Sequence, residues 1–221
     1  MDGLLVDSEP HWRAVEREVF AQVGLILTDK QCKETTGLPI PAVVEYWYNR
    51  HPWAELPGQS RAELGAAITA GAHERIGERA EAMPGAIEAL AFFRERGIPA
   101  AIASASPMSL IEVVVDRLGL RPYLALWHSA TLEARNKPAP DVYLGAARRL
   151  GVAPTDCVAF EDSGTGLLSA KTAGMRTVAV PADFERDDPK FAIADVILPA
   201  LTAFSPDVFA ALQQTNVPLT E

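Results

Sequence analysis

Residues 157–175 read CVAFEDSGTGLLSAKTAGM, and the reading of this stretch decides the fold. Val158, Ala159 and Phe160 form a short apolar run of the kind that makes a buried strand. Two carboxylates, Glu161 and Asp162, follow it directly. A helix is predicted from Gly166 to Ala173, with Gly174 standing where a helix ends. Strand, polar turn and helix in immediate succession make half of a βαβ unit.

The same alternation extends to both sides. Upstream, Ile98 to Ala103 reads as a buried strand, followed by a helix from Ser109 to Leu118 that Gly119 closes. Tyr123 to His128 is a further strand. Asp141 to Leu150 is a helix that presents Val142, Tyr143, Ala146 and Leu150 on one face and ends at Gly151. Downstream, Arg176 to Val180 and Asp195 to Leu198 are strands. Strands and helices alternating at this spacing imply right-handed crossovers and a parallel sheet. The expected fold class is α/β, a doubly wound parallel sheet.

Residues 10–82 break the pattern. Val15, Val19, Phe20 and Val23 recur at helical spacing within Arg13 to Val23, and Val43 to Tyr48 and Ala62 to Ile76 also read as helices. Met83-Pro84-Gly85 is a turn signal that restarts the α/β alternation. The expected division is an α/β core of residues 1–9 and 83–221 with a helical cap of residues 10–82 inserted into it.

Composition narrows the function. The 221 residues carry a formal net charge of −9 with a pI near 5.0. Such a field repels nucleic acid and anionic membranes, so neither is expected as a partner. It repels phosphate esters too, so a phosphate site here calls for local cations, a metal ion among them. No apolar run approaches the ~18 residues of a membrane span, and no signal peptide is visible. The two cysteines, Cys32 and Cys157, are expected to be structural thiols of a reducing, cytoplasmic protein. A monomer is expected.

Four places carry chemistry. Asp2 beside Gly3 is either an ordinary turn or an acidic site residue. Ser104 ends a buried strand, where ligands of open α/β sheets bind, and its hydroxyl with the next amide, that of Ala105, suits a phosphate oxygen. The competing reading is helix capping, which Ser106 or Ser109 would satisfy. Lys137, between Asn136 and the prolines Pro138 and Pro140, is a cation held in a stiffened loop, with Asp141 available to cap the next helix. Glu161 and Asp162 offer hard oxygen ligands for Mg²⁺ at a strand end. A capping role for Asp162 or Ser163 would explain only one of the carboxylates.

The order and spacing of DGLLVDSEP, IASASP, NKPAPDVYL and VAFEDSGTGLLSAKTAGM resemble the haloacid dehalogenase-like superfamily. The likeness covers essentially the whole chain. It is to the sugar-phosphate branch with a helical cap, in which the β-phosphoglucomutases also fall. Trp47 to Trp53 in the cap and the SASP turn look most like the hexitol-phosphate and 2-deoxyglucose-6-phosphate phosphatases. The resemblance implies a Mg²⁺-dependent phosphatase acting on a small phosphorylated hexose or hexitol through an aspartyl-phosphate. Asp2 matches the general acid/base of the family's first motif. Ser104 and the Ala105 amide would bind the transferring phosphate, and Lys137 would stabilise its charge. Asp162, with Glu161 as ligand or support and the Asp2 carbonyl, would hold Mg²⁺.

The same register puts the nucleophilic Asp one residue before Met1. It also puts the central strand of the sheet upstream of residue 1, about ten residues in all. A sheet without that strand is expected to show two unpaired edges and a gap in the core. A β-phosphoglucomutase-like mutase and a non-catalytic phosphate-binding form are the alternatives. Against the mutase, Trp12 stands where its cap histidine is expected. Ile40, three after Gly37, stands where its arginine is expected. Trp12, Trp47, Tyr48 and Trp53 would wall the substrate or pack the cap, at least two of them by packing, and Arg50 or His51 would read the sugar.

Overall fold

A computed structural model describes residues 1–36 and 38–214; Gly37 lies outside the described residues. The chain divides into two compact units, Asp7–Glu81 and Met1–Val6 with Ala82–Glu221.

The first unit is helical: α1 (Glu9–Ala21), α2 (Asp29–Cys32), α3 (Ile40–Arg50) and α4 (Arg61–Arg79). Thr28 with Gln31 and Ser60 with Glu63 form capping boxes that start α2 and α4, each satisfying two of the N–H groups a helix start leaves free. Val15, Val19 and Phe20 of α1 pack with Val43, Val44 and Trp47 of α3 and with Leu64 and Ile68 of α4. Trp47 is fully buried, and Trp12 and Trp53 pack on the rim of the same cluster. Tyr48 meets Trp53 edge to face at 4.8 Å between centroids. The aromatic run of α3 and its flank is therefore engaged largely in packing. Arg50 lies over the Tyr46 ring, and His51 stacks against Trp47.

One group in this core is out of place electrostatically. Glu16 of α1 is buried, and its Oε2 has no hydrogen-bond partner. Burial, helped by the charge of Glu9, pushes its carboxyl up to about 7, against a smaller opposing pull from the Cys32 thiol and Arg13. A carboxyl raised in this way stabilises the fold fully below its unfolded value and loses that stability as pH rises through 7. Glu16→Gln is expected to raise stability by about 2 kcal/mol at pH 8 and to leave it unchanged near pH 4. Urea unfolding at the two pH values checks this. The same burial pushes the Cys32 thiol up to about 11 and raises that of half-buried Cys157, so neither is a ready nucleophile.

The second unit alternates: α5 (Ala86–Glu95), β1 (Ala101–Ser104), α6 (Met108–Arg117), β2 (Leu126–Ser129), α7 (Asp141–Leu150), β3 (Val158–Glu161), α8 (Gly164–Thr172), β4 (Arg176–Ala179), β5 (Val196–Ile197) and α9 (Pro206–Gln214). Every strand pairing is parallel. Ile102, Val158 and Phe160 pack toward α5, α6 and α9 on one face; Ala103 and Ala159 pack toward α7 and α8 on the other. Helices thus cover both faces, as a doubly wound sheet requires.

The sheet is not continuous. β1 pairs with β2, and β3 with β4 and then β5, as two separate sheets. Between the facing edges of β1 and β3 lies a cavity of about 420 Å³ lined by Ile102, Ala103, Ala159 and Phe160, with Leu90 of α5 and Ala146 of α7 among the side chains above and below.

Local chemistry moves several boundaries. Pro99 lacks an amide donor, and the Ile98 N–H closes α5 on the Phe93 carbonyl, so β1 begins at Ala101 rather than Ile98. Arg121–Tyr123 forms a 3₁₀ turn around Pro122, delaying β2 to Leu126. Gly85, at φ +85°, begins α5 where an added Cβ would lie 2.4 Å from the Thr202 backbone nitrogen. Gly85→Ala is expected to lower stability by about 3 kcal/mol, from the left-handed backbone plus a clash with main chain that cannot swing away. Thermal unfolding measures it. No described helix is long and apolar enough to cross a membrane.

Candidate active site

All the predicted site residues belong to the α/β unit, and they meet at the carboxyl ends of β1 and β3. Ser104 is the last residue of β1 and is buried. Its Oγ accepts the N–H of Ser106 at 3.1 Å, which folds residues 104–106 into a tight turn with Ala105 exposed at its tip. Ser129, at the end of β2, donates its hydroxyl to the Ser106 carbonyl at 2.6 Å. Ser106 in turn donates its hydroxyl to Asp2 Oδ2 at 2.7 Å. Neither Ser106 nor Ser109 caps α6, whose N-cap is Pro107 with no side-chain cap. The serines are therefore released from capping, and one of them positions Asp2.

Asp2 sits in a turn knitted by the Gly3 N–H to the Val6 carbonyl and the Leu5 N–H to the Met1 carbonyl. Gly3 has φ +68°, and a Cβ on it would lie 2.3 Å from Asp162 Oδ2. Only glycine allows that backbone to lie against the Asp162 carboxyl. The Asp-Gly pair at residues 2–3 is thus packed on the second carboxylate of β3's end.

Lys137 spans the two sheets. Its Nζ donates to the Ala103 carbonyl at 3.2 Å and to Glu161 Oε1 at 2.5 Å, and it is only 10% exposed. The Lys137–Pro138 peptide is cis. Asp141 does not cap α7. Its carboxylate pairs with Arg135, 2.7 Å from Nη2, and Pro140 holds the N-cap position.

Glu161 and Asp162 are adjacent and differ sharply. Glu161 is buried, and both of its oxygens are occupied. Oε1 accepts from Lys137 and from the Tyr143 hydroxyl, and Oε2 from the Ser163 hydroxyl at 3.0 Å. Burial alone would raise its carboxyl, but Lys137, the Met1 amino group and the donated hydrogen bonds outweigh burial and hold it below the usual value. The first turn of α8 leaves no room beside it, since a Cβ on Gly166 would lie 2.0 Å from Glu161 Oε2. Asp162 is pushed up to about 6, chiefly by burial and further by Glu161, against the opposing pull of the Met1 amino group and Lys137. Ser163 performs the capping of α8, accepting the Gly166 N–H at 3.1 Å, so Asp162 has no capping duty. It is a half-buried carboxyl poised to gain from a nearby cation.

Two site members escape the sequence reading. Tyr143 reads as an apolar face residue of α7, which its ring is; its hydroxyl tip reaches Glu161. Its burial and the Glu161 charge hold the phenol well above its usual value, so it stays a donor. Ser129 gives no signal beyond its place at a strand's end.

For a metal, the donors are oxygens only. Glu161 accepts from Lys137, Tyr143 and Ser163, an arrangement that suits the supporting one of its two expected roles, ligand or support. Among the described residues no group of three or more His, Cys, Asp or Glu is placed to hold a metal ion. Asp162 with main-chain oxygen fits Mg²⁺, which commonly takes one or two carboxylates and completes its shell with phosphate and water.

The family model described as haloacid dehalogenase-like hydrolase matches residues 1–174. Hexitol phosphatase B of Escherichia coli (strain K12) is 41% identical over 203 residues, covering 91% of this chain and 90% of the relative. A fructose-1-phosphate phosphatase of the same strain is 31% identical over 180 residues, 81% of this chain and 93% of its own. The crystal structure of CbbY from Rhodobacter sphaeroides in complex with phosphate superposes with a TM-score of 0.80 at 26% identity, covering 96% of each chain.

Proposed function

Because the chain belongs to the haloacid dehalogenase-like hydrolases, we propose that it serves a Mg²⁺-dependent phosphatase of small hexose or hexitol phosphate monoesters. The observation that carries the reading is the nearly buried Lys137, fixed between the end of β1 and Glu161 at the end of β3. A desolvated cation at the carboxyl ends of parallel strands is aimed at an anion in the crevice, and the likeness to the two phosphatases supplies its class.

Placement supports the following roles. Ser104 and the Ala105 amide hold phosphate oxygens in the turn that Ser106 and Ser129 brace. Lys137 offsets charge on the phosphoryl group. Glu161, satisfied on both oxygens, keeps Lys137 in place. Asp162 and the Asp2 carbonyl would hold Mg²⁺, which when bound supplies charge stabilisation to the phosphoryl oxygens. Asp2, oriented by Ser106, gives a proton to the departing alkoxide. It then takes one from the water that attacks the acyl-phosphate, releasing inorganic phosphate and restoring the carboxylate nucleophile. That nucleophile is proposed at the position preceding Met1. Trp12 supports hydrolysis over phosphosugar transfer, since its ring packs edge-on to His73 and offers no imidazole at that position.

The test is phosphate release from a panel of sugar and polyol phosphates with Mg²⁺, using this chain and one extended upstream by an apolar strand ending in Asp. Release by the extended chain alone is expected. Activity of the unextended chain would overturn the register for Asp2, and silence of both would favour a phosphate-binding protein.

A further inference from the structure

We infer that His128, gripped between Glu133 and Arg149, is a positioning residue: its bond to Glu133 fixes the Ser129 and Ser106 hydroxyls that aim Asp2. The link to chemistry rests on the proton transfers that the proposed function gives to Asp2; the positioning rests on bonds alone. His128 is the third residue of β2 and is buried. Its Nδ1 lies 3.2 Å from Arg149 Nη1. A guanidinium only donates, so Nδ1 accepts, and the ring proton sits on Nε2. Nε2 therefore donates to Glu133 Oε1, 2.7 Å away. Arg149 Nη1 also donates to the Trp127 carbonyl at 2.8 Å, so α7 holds both the main chain and the imidazole at this end of β2. Gly145, one turn back on α7, leaves the space that the pair fills. A Cβ there would lie 2.2 Å from Glu133 Oε1 and 2.5 Å from His128 Nε2.

The His128–Glu133 bond closes residues 128–133 into a loop, and Ser129 lies inside it. Ser129 Oγ donates to the Ser106 carbonyl at 2.6 Å. A hydroxyl has one proton, so its other two partners must donate to it. These are the Thr131 N–H at 3.1 Å and the Thr131 hydroxyl at 2.8 Å. Ser129 is thereby tied on three sides and has no freedom to turn. Ser106, held by its carbonyl, donates its own hydroxyl to Asp2 Oδ2. Within the loop, Thr131 and Leu132 are exposed, so packing does little to fix it, and the clasp supplies the restraint. Neither His128 nor Glu133 is bonded to Asp2. They act through two serines, and supporting bonds of this kind set how closely a site keeps its productive geometry.

The test begins with the full chain labelled with ¹⁵N-histidine. The His128 resonance, assigned by its loss in His128→Asn, should report the proton on Nε2; a proton on Nδ1 alone would overturn the inference. The Ser106 and Thr131 amides donate to the Ser104 and Ser129 hydroxyls, so their hydrogen exchange reads the turn directly. It should quicken about tenfold in Glu133→Ala and in Gly145→Ala. It should stay as in the parent in Glu133→Gln, whose amide oxygen still accepts the Nε2 proton. Gly145→Ala displaces the pair while keeping both partners, and alanine itself favours the helix, so its effect is not that of a weakened α7. In the chain extended upstream, kcat on a hexitol phosphate with Mg²⁺ should fall about 10²-fold in Glu133→Ala and Gly145→Ala. KM should stay within about threefold, and Glu133→Gln should keep the parent kcat. Unchanged exchange in both disrupting variants would overturn the inference. So would equal losses in Glu133→Gln and Glu133→Ala, or a lower unfolding midpoint with kcat intact, which would make the pair a brace for the fold. If the extended parent releases no phosphate, the proposed function fails, while the tautomer and the exchange still decide the positioning.

Discussion

Lys137→Met will destabilise the α/β unit by about 3–5 kcal/mol at pH 8, because it leaves Glu161 as a buried charge without its counter-ion. The Lys137 ammonium sits 2.5 Å from Glu161 Oε1, and both side chains are nearly buried. The loss should depend on pH in a direction the site dictates. In the parent chain the Glu161 carboxyl lies below its usual value. Its stabilisation is therefore present above the unfolded carboxylate range and disappears as pH falls through the folded value. Without Lys137, burial, the largest influence, is opposed only by the Met1 amino group and the hydroxyl hydrogen bonds and raises the carboxyl, so stability declines as pH climbs past about 4.5. The gap between parent and variant should accordingly widen from pH 4 to pH 8, which urea titrations at several pH values will show. Adding Glu161→Gln should recover most of the stability, since a neutral pair leaves no buried charge. Activity in the extended form should not recover. A loss of about 10³-fold or more in kcat should persist in the double variant, because the cation itself is missing from the proposed phosphoryl site.

The core was legible because its residues obey local rules. Asp141 to Leu150 carries a clear apolar stripe with Gly151 past its end, and α7 spans those residues, with Gly151 at φ +72°. The four motif segments announced themselves because strand ends gather polar residues that no local structure needs. What stayed hidden is tertiary. α5 went unread because AIEALAFFRE is apolar over so much of its surface that periodicity gives no single face. α2, a single turn, is too short for any periodic signal. The commitment of Glu161 to Lys137, Tyr143 and Ser163 depends on three segments far apart in sequence, and no spacing rule reports it. The gap at the centre of the sheet was legible from the motif register, whereas its closed apolar walls required the packing of α5 and α7.

Asp162 should behave in the opposite way to Lys137, and the contrast separates catalytic from structural work within one turn of chain. Asp162→Asn will make the fold more stable at pH 8, by about 1–3 kcal/mol. It will also abolish Mg²⁺-dependent phosphate release in the extended form. The Asp162 carboxyl is raised to about 6, first by burial and then by Glu161 beside it. For a group raised in this sense, stabilisation is complete below the unfolded value near 3.9 and is lost as pH rises through 6. At pH 8 the folded chain therefore carries an ionised carboxylate that its surroundings disfavour, and asparagine removes that penalty with almost no change of shape. Near pH 4 the two proteins should be equally stable, and thermal unfolding at pH 4 and pH 8 decides the matter. The packing of Gly3 against Asp162 Oδ2 makes the isosteric replacement the right one, because a larger side chain would displace the Asp2 turn as well. Adding Mg²⁺ together with inorganic phosphate should stabilise the parent chain at pH 8 and leave Asp162→Asn unmoved. If the variant loses stability at pH 8 and still gains it from Mg²⁺, the carboxylate is a structural element, and the metal must be held elsewhere. A carboxylate that costs the fold stability and is repaid only by a bound cation is what a phosphoryl-transfer site requires of its metal ligand.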